Sequence, residues 1–311
     1  MEVTQGAPFE SFGLSEATMR AIRNKHYTVS TPVQAGCIPP MLAGKDVIAK
    51  APTGTGKTMA FGIPIIERID PESETVQAVI LAPTRELAQQ IAAELQNLCQ
   101  FMPEVRIACL YGGANMQRQA EKLQKGCQII VATPGRLMDH YKRRTIDVSA
   151  VETVVLDEAD EMLNMGFYKD VRHIIDLMKN RKSLSMFSAT ISREVMDIGW
   201  LYQHDAAEVT VQPKLESMPK IAQYKLLTTN RDKLGDLAQL VIGEGYKRVM
   251  VFCNTKFTTA STSETSMPRA ATSVATSMAI CPSRKRVIMR LRSAWLKSPC
   301  RQSTLKFRRA S

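Results

Sequence analysis

A glycine-rich segment at Ala51–Thr58 has the residue types that bind phosphate. Its sequence, Ala-Pro-Thr-Gly-Thr-Gly-Lys-Thr, follows the apolar run Val47–Ala49 and precedes an amphipathic stretch. Glycines allow backbone N–H groups to curl round phosphate oxygens, and the start of a helix adds a favourable dipole. Lys57 would bring a point charge to the β- and γ-phosphates, and the Thr58 hydroxyl could ligate Mg²⁺. The pattern predicts a nucleotide-binding loop, with a plain glycine-rich turn as the alternative.

A second group of reactive side chains, Asp157-Glu158-Ala159-Asp160, follows the apolar run Val154–Leu156. Carboxylates at the carboxyl end of a parallel strand face the crevice in which such sheets bind ligands. Asp157 would hold the hydration shell of Mg²⁺, and Glu158 would orient or deprotonate an attacking water. An isolated acidic tetrapeptide is more often a solvated turn. Its place after a buried strand, downstream of a phosphate-binding loop, favours the catalytic interpretation.

These two segments need a sheet to bring them together. Continuous apolar runs, with amphipathic stretches between them, occur at Val47–Ala49, Ala78–Ala82, Arg106–Tyr111, Gln128–Ala132, Thr153–Leu156 and Leu184–Phe187. Runs of this kind are typical of parallel strands that are buried on both faces. The sequence therefore predicts a doubly wound α/β fold with a mostly parallel sheet flanked by helices.

The two segments belong to a longer series that closely resembles the DEAD-box RNA helicases of superfamily 2. In family order, the matching residues are Phe9 with Ser30–Gln34 (Q motif), Ala51–Thr58 (motif I), Pro83–Ala88 (Ia), Gly112-Gly113 (glycine doublet), Thr133–Arg136 (Ib), Asp157–Asp160 (II) and Ser188–Thr190 (III). Each match alone is weak, but seven in order are specific. The resemblance implies a RecA-like domain. Two Q-motif positions depart from the family, since His26 stands where it usually has Gly and Ser30 where it usually has Pro.

The resemblance also implies an ATP site with Mg²⁺. The residues implied to bind ATP are Phe9, Gln34, Thr53, Gly54, Thr55, Gly56, Lys57 and Thr58; those implied in catalysis are Lys57, Asp157, Glu158, Ser188 and Thr190; those implied at the metal are Thr58 and Asp157. Gln34 would bind the adenine edge through its amide, and Phe9 would stack on the base. Ser188 and Thr190 would link the ATP site, through Asp160, to the nucleic-acid side.

RNA is the partner that the resemblance implies. Its contacts would come from Pro83, Thr84, Arg85, Gly113, Thr133, Pro134, Gly135 and Arg136. Contacts to phosphates and 2′-hydroxyls carry no base sequence, so we expect sequence-tolerant binding. The RNA and the pathway stay open, with ribosome assembly, mRNA decay and translation all compatible, and unidentified ribonucleoprotein or ribosome-assembly partners are possible. We expect a monomer.

The composition predicts a cytoplasmic protein and argues against a membrane protein. The chain has 311 residues, is 44% hydrophobic and has no apolar run near the length of a membrane span. No signal-peptide pattern opens it. Its seven cysteines are scattered without a Cys-x-x-Cys pair, so we expect core thiols in a reducing compartment.

The chain is expected to have four parts. The resemblance implies a RecA-like domain at 1–207 and the start of a second one at 222–257; Pro213 and Pro219 indicate a linker at 208–221, and composition marks a basic tail at 258–311. Val251–Thr255 resembles motif IV, but the arginine-bearing motifs V and VI are not found after it. The net charge is +11, of which the tail contributes +10; the tail has 17 Ser/Thr and no glycine. We expect the tail to be disordered or to result from a frameshift.

A frameshift has some support, because one choice of codons for Ser277–Lys285, read in another frame, encodes a peptide that resembles the next conserved stretch of the family. We therefore expect an ATP-dependent RNA helicase by family, weakly active or inactive as this chain alone. The alternatives are a non-catalytic RNA-binding protein that uses the basic tail, and a different P-loop nucleic-acid translocase. Gln34 and the Asp-Glu-Ala-Asp spelling argue against the translocase.

Overall fold

The structure is a computed structural model that describes residues 4–212 and the shorter segments 224–226, 228–229, 232–243, 249–252, 278–281, 286–289 and 308–309. The chain divides into two compact units, residues 1–218 and 219–311. The first unit contains both of the segments that the sequence marks as reactive, Ala51–Thr58 and Asp157–Asp160.

A seven-stranded parallel sheet forms the centre of the first unit, in the order β3-β4-β2-β5-β6-β1-β7. Its strands are β1 Val47–Lys50, β2 Ala78–Leu81, β3 Ile107–Leu110, β4 Ile129–Ala132, β5 Thr153–Asp157, β6 Ser183–Ser188 and β7 Ala207–Thr210. The predicted α/β fold with a mostly parallel sheet is confirmed, and each of the six predicted runs coincides with a strand to within one residue at either end. In this sheet β5 and β1 are both neighbours of β6, so the carboxyl ends of all three strands lie at one edge.

Helices cover both faces of the sheet. They are α1 Glu16–Asn24, α2 Pro32–Leu42, α3 Lys57–Arg68, α4 Arg85–Leu98, α5 Met116–Gln124, α6 Pro134–Lys142, α7 Ala159–Met162, α8 Tyr168–Leu177 and α9 Arg193–Tyr202, with a 3₁₀ turn at Phe9–Phe12 and a π-helical turn at Leu163–Phe167. Side chains from α1–α4 form one apolar core and side chains from α5–α9 form the other.

The apolar runs are continuous because alternate residues of one strand enter different cores. In β2, Ala78 and Ile80 pack into the core under α1–α4, whereas Val79 and Leu81 pack into the core under α5–α9. All four residues are at most 1% exposed. A strand covered on both faces cannot alternate apolar and polar residues. Its continuous apolar run therefore identifies it in the sequence.

The boundary predicted at residue 207 is placed too early. Ala207–Thr210 forms β7, which pairs in parallel with β1, and Val211 N donates to Lys50 O at 2.9 Å. The first domain therefore extends past the predicted start of the linker at 208. This edge strand has a single buried residue, Val209, so it lacks the apolar run that identifies the central strands. The rest of the predicted linker, 213–221, lies outside the described residues.

The second unit is described in segments. They are β8 Tyr224–Lys225, α10 Lys233–Gly243, β9 Val249–Phe252, β10 Met278–Cys281, β11 Arg286–Met289 and β12 Arg308–Arg309. The strands pair antiparallel, as β10-β11-β9 and β12-β8. The elements β8, α10 and β9 lie within residues 222–257, where the sequence predicts the start of a second domain. Most of the predicted tail lies outside the described residues.

Candidate functional site

The predicted phosphate-binding loop connects the end of β1 to the start of α3. Gly54 and Gly56 adopt left-handed φ values of 83° and 91°, which favour glycine. The Thr55 hydroxyl donates to Pro52 O at 2.8 Å and closes the turn. Thr53 and Gly54 are exposed, whereas Thr58 in the first turn of α3 is half-buried. The loop therefore presents backbone to solvent directly before the start of a 12-residue helix, which is the arrangement that binds anions.

Lys57 and Asp157 are buried charged groups at this edge of the sheet. Lys57 is 7% exposed and its Nζ donates to Ala51 O at 3.2 Å, across the base of the loop. Asp157 is 3% exposed at the end of β5. Burial raises the pKa of the Asp157 carboxyl to about 6, although the positive charge of Lys57 lowers it. The lysine thus acts electrostatically on the carboxyl, as the sequence predicts for a shared site.

Glu158 follows in a backbone conformation that is rare for a residue with a side chain. Its φ is 48° and its ψ is 50°, in the left-handed region. Its N–H donates to Asp157 Oδ1 at 3.0 Å, so the turn is stabilised by the preceding carboxylate. The Glu158 side chain is only half-buried. Such backbone strain is often found at functional sites, and here it turns the chain sharply between β5 and α7.

Asp160, Ser188 and Thr190 form a hydrogen-bonded group between the ends of β5 and β6. Asp160 Oδ2 accepts from Thr190 N at 3.0 Å and from Thr190 Oγ1 at 2.6 Å. Ser188 Oγ accepts from Asp160 N at 3.3 Å and donates to Thr190 O at 2.7 Å. Burial alone would raise the pKa of Asp160, but the hydrogen bonds from Thr190 and Ser188 outweigh it and lower the pKa. The predicted route from the acidic segment through Asp160 therefore has direct contacts.

Gln34 is joined to the phosphate-binding loop. Thr31 and Gln34 form a capping box at the start of α2, in which Thr31 N donates to Gln34 Oε1 at 2.9 Å. Gln34 Nε2 then donates to Gly56 O at 3.1 Å. A Cβ on Gly56 would lie only 2.5 Å from that same nitrogen. Close packing and a left-handed φ thus both require glycine at 56.

Phe9 is not presented at the surface. It is 1% exposed and packs edge-on against Phe12, with ring centroids 6.0 Å apart. Stacking on a base stays a prediction and requires the residues that cover Phe9 to move. Ser30, which replaces the usual Pro of the family, ties this segment down, because its N–H donates to Ala7 O at 2.8 Å and its Oγ accepts from Ala7 N at 2.9 Å. His26 has a φ of 59°, in the region where glycine is favoured.

Part of the predicted RNA set is also brought together. The Arg85 guanidinium lies 5.0 Å from the centre of the Tyr111 ring. A Cβ on Gly113, whose φ is 84°, would lie 3.6 Å from Arg85 Nη1. Thr84 caps α4 by accepting from Leu87 N at 3.3 Å, and Pro83 is buried beside it. Arg85 and Gly113 are exposed, so the ends of β2 and β3 present a cation and a bare backbone side by side.

The other predicted RNA residues lie at the start of α6. Thr133 N donates to Leu110 O at 2.9 Å, and the Thr133 hydroxyl does not cap the helix. Pro134 is buried at the first helical position, and Gly135 is exposed. Arg136 differs from its neighbours, because its side chain is 12% exposed and its Nη1 donates to Ala114 O and to Gln119 Oε1, both at 3.1 Å.

Three residues that contact the site were given no individual role by the sequence. Thr31 caps α2, and Gln119 and His140 lie beneath the glycine doublet, where both are buried. A polar residue before Pro32 is a helix-start signal, so Thr31 was legible in the sequence. Gln119 and His140 occur at apolar-face positions of α5 and α6, and no local pattern distinguishes them from solvated polar residues.

Two findings limit other kinds of site in the part of the chain that the structure describes. No helix there is both long enough and apolar enough to cross a membrane. No group of three or more His, Cys, Asp or Glu side chains is placed there to hold a metal ion by itself. The four cysteines of the first unit are free thiols, and burial raises the pKa of each of them.

Comparison with known proteins gives a consistent result. A family model described as DEAD/DEAH box helicase matches residues 31–198. The chain is 42% identical over 248 residues to the ATP-dependent RNA helicase CshA of Limosilactobacillus reuteri and to the DEAD-box ATP-dependent RNA helicase CshA of Bacillus subtilis. Each match covers 80% of this chain and 50% of the relative. The chain therefore spans about half the length of the curated relatives it matches.

Solved structures agree with the sequence matches. The crystal structure of a DEAD box protein from Methanococcus jannaschii is similar with a TM-score of 0.63 and 36% identity, covering 76% of this chain and 64% of that one. A hypothetical ATP-dependent RNA helicase from Sulfolobus tokodaii gives a TM-score of 0.59 and 36% identity, covering 63% of this chain and 57% of that one.

Proposed function

The chain belongs to the DEAD/DEAH box helicase family, and from that membership we propose that it binds ATP with Mg²⁺ and contacts RNA at the same edge of its sheet. In the complete reaction, ATP hydrolysis is coupled to local opening of an RNA duplex. The observation that carries the proposal is the convergence of Lys57, beneath the phosphate-binding loop, with the buried carboxyl of Asp157.

Gln34 supports the choice of ATP over other nucleotides. Its amide has two N–H donors and an oxygen with two acceptor sites. One donor is bonded to Gly56 O and one acceptor site to Thr31 N. One donor and one acceptor therefore remain, which suit the adjacent acceptor and donor on the adenine edge. The same side chain touches the phosphate-binding loop, so the base and the phosphates would be bound by connected residues.

Thr58 and Asp157 fit a magnesium ion, which prefers hard oxygen ligands and keeps several waters. Their hydroxyl and carboxylate are donors of that kind. Burial raises the pKa of the Asp157 carboxyl despite the nearby charge of Lys57, and a bound cation would further favour the ionised form. When bound, the ion would neutralise charge on the phosphates. Lys57 would add its own positive charge.

Glu158 is the residue that we propose to orient the attacking water and to accept its proton. Glu158 follows Asp157 in a left-handed turn before α7, and its side chain is only half-buried. A general base must come within hydrogen-bond reach of the water whose proton it accepts. The neighbouring Asp160 is a weaker base, because Thr190 donates two hydrogen bonds to its Oδ2 and its pKa is lowered.

RNA binding is proposed along the ends of β2, β3 and β4, through Arg85, the backbone at Gly113 and the start of α6 at Thr133–Gly135. The exposed backbone at Gly113 and Gly135 and the exposed Arg85 cation suit phosphates and 2′-hydroxyls, which are the same in every sequence. We therefore propose sequence-tolerant binding. We also propose that the protein is cytoplasmic and monomeric. Its partners would include ribonucleoproteins such as assembling ribosomes.

We further propose that hydrolysis by this chain is slow. In related nucleoside triphosphatases, an arginine that reaches the transferring phosphate accelerates the reaction by about 10³–10⁵. The family takes such arginines from its later motifs, and no match to these follows Phe257 in the sequence. ATP binding should depend on the first unit, whereas turnover should stay near background.

The experiment that tests the proposal measures ATP binding and steady-state ATP hydrolysis, with and without single-stranded RNA, on the wild-type chain and on Glu158→Gln. Glu152→Gln is the matched control, because Glu152 precedes the same strand at its other end and forms an exposed ion pair with Lys182. We expect ATP binding by all three proteins and turnover near background. If the wild type shows RNA-stimulated turnover that only Glu158→Gln removes, the catalytic role is supported and slow hydrolysis is refuted. Absence of ATP binding would refute the proposed function, and stimulation by DNA as strong as by RNA would favour a different translocase.

A further inference from the structure

Arg136 is not a solvent-exposed arginine whose guanidinium is free to bind a phosphate. Its side chain is 12% exposed, whereas Arg85 is exposed. Its Nη1 donates to Ala114 O and to Gln119 Oε1, both at 3.1 Å, and its Nε lies 3.9 Å from Asp139 Oδ2. A guanidinium binds phosphate best through two parallel N–H groups that face outward. Here one edge of the group is committed to the protein itself.

Gln119 connects Arg136 to the residues beneath the glycine doublet. Its Oε1 accepts from Arg136 Nη1 and lies 3.1 Å from His140 Nε2, while its Nε2 donates to Tyr111 O at 3.2 Å. Because an arginine can only donate, the amide oxygen must face Arg136, and His140 must then donate from Nε2. Gln119 is 6% exposed and His140 is fully buried. The hydrogen bonds in this cluster are therefore shielded from water, where a lost partner is costly.

The two backbone carbonyls held by this cluster bracket the glycine doublet. Tyr111 O is bonded by Gln119 and Ala114 O by Arg136, so Gly112 and Gly113 are fixed from both ends while they stay exposed. The ring of Tyr111 also faces the Arg85 guanidinium. The cluster thus determines where the exposed backbone of the doublet lies relative to Arg85 and to the first turn of α6.

We infer that Arg136 is a positioning residue, which with Gln119 and His140 forms a buried cluster that fixes the Gly112–Gly113 loop, and that it does not itself pair with an RNA phosphate. The inference rests on the proposed function for the RNA that the loop would contact. It differs from the role that the sequence resemblance implies for Arg136, which is direct RNA binding.

Salt dependence separates the two roles. For single-stranded nucleic acid, the logarithm of the binding constant falls with the logarithm of salt concentration with a slope of about −0.7 for each phosphate that the protein neutralises. A residue that pairs with a phosphate contributes to that slope, whereas a residue that positions a loop changes affinity without changing the slope. Arg85→Gln provides the comparison, because Arg85 is exposed next to Gly113.

The experiment measures the affinity of the full chain for a fluorescein-labelled oligouridine at several KCl concentrations, with saturating ATP and Mg²⁺. Arg136→Gln and Gln119→Leu are each expected to weaken binding by on the order of tenfold at an unchanged salt slope, and the double variant by little more than either. Arg85→Gln should reduce the magnitude of the slope by about 0.7. A slope reduced equally by Arg136→Gln, or an unchanged affinity in Gln119→Leu, would overturn the inference.

Hydrogen exchange of the peptide that spans residues 110–118 tests the positioning role without RNA. Exchange in this peptide should be faster in Arg136→Gln and in Gln119→Leu but not in Arg85→Gln; unchanged exchange in the first two would refute the positioning role. Arg136→Lys keeps the charge but loses the planar pair of donors, so it should also accelerate exchange, and it serves if Arg136→Gln does not fold. A wild type that binds no RNA would refute the proposed RNA site, and hydrogen exchange would then decide on the cluster alone.

Discussion

The ionised carboxylate of Asp157 should destabilise the ligand-free protein, so Asp157→Asn is expected to unfold at a higher temperature than the wild type. Burial, opposed by the charge of Lys57, raises the pKa of Asp157 from 3.8 to about 6. One pKa unit between folded and unfolded states corresponds to about 1.36 kcal/mol. Keeping the carboxyl ionised at neutral pH therefore lowers the free energy of unfolding by about 3 kcal/mol.

The sign of the pH dependence follows from the same values. Because the pKa is higher in the folded protein, the folded state binds more protons than the unfolded state between about pH 4 and pH 6. Stability of the wild type should fall as the pH rises through this window and then level off. Asparagine has no such titration, so the advantage of Asp157→Asn should be largest above pH 6 and should shrink as the pH is lowered towards 4.

The assay is thermal unfolding followed by circular dichroism, in EDTA and without nucleotide, from pH 4.5 to 8. For a domain of this size, each kcal/mol shifts the midpoint by about 2–4 °C, so Asp157→Asn should gain about 6–12 °C at pH 7.5. Asp160→Asn is the matched control, because hydrogen bonds from Thr190 and Ser188 outweigh burial and lower the pKa of Asp160. Its stability should change in the opposite direction, with the loss greatest at neutral pH. A midpoint of Asp157→Asn at or below that of the wild type at pH 7.5, or a difference that does not vary with pH, would refute the reasoning.

Three further substitutions have definite expected outcomes. Gly56→Ala should lower the free energy of unfolding by about 1–2 kcal/mol in urea titrations, because φ is 91° and the new Cβ would lie 2.5 Å from Gln34 Nε2; an unchanged midpoint would contradict the packing. Lys57→Ala should abolish binding of a fluorescent ATP analogue in equilibrium titrations, because it removes the buried cation of the loop, and retained affinity would place the phosphates elsewhere. Thr190→Val removes a hydroxyl that donates to Asp160, so the pKa of Asp160 should rise. As the pH is lowered, the variant should therefore lose stability at a higher pH than the wild type. The same dependence of stability on acid pH in both proteins would contradict the contact.

The central strands of the sheet can be predicted from the sequence, because burial on both faces requires continuous apolar runs. Val79 and Ile80 enter different cores, and neither can be polar. The edge strand β7 was missed because only Val209 is buried in it. Its place in the sheet depends on pairing with β1, a long-range contact that has no local signature.

The sequence predicts those features of the candidate site that the order of the strands determines. Parallel strands bring the segments after β1 and β5 to one edge, so the electrostatic contact of Lys57 with Asp157 follows from the positions of the strands alone. What topology leaves open is the direction of each side chain. Arg136 follows the exposed Gly135, but its guanidinium turns inward to Ala114 O, and nothing in its immediate sequence requires that. The roles assigned to individual residues stay predictions.

Ser188 connects the three segments at the part of the sheet edge where the ATP site is proposed. Its carbonyl accepts from Ala51 N at 2.9 Å, at the base of the phosphate-binding loop. Its hydroxyl accepts from Asp160 N and donates to Thr190 O. One residue, 1% exposed, therefore contacts all three segments that follow β1, β5 and β6. Because packed and hydrogen-bonded segments shift together more readily than they deform singly, a displacement of the phosphate-binding loop by nucleotide would move the acidic segment and Thr190 with it.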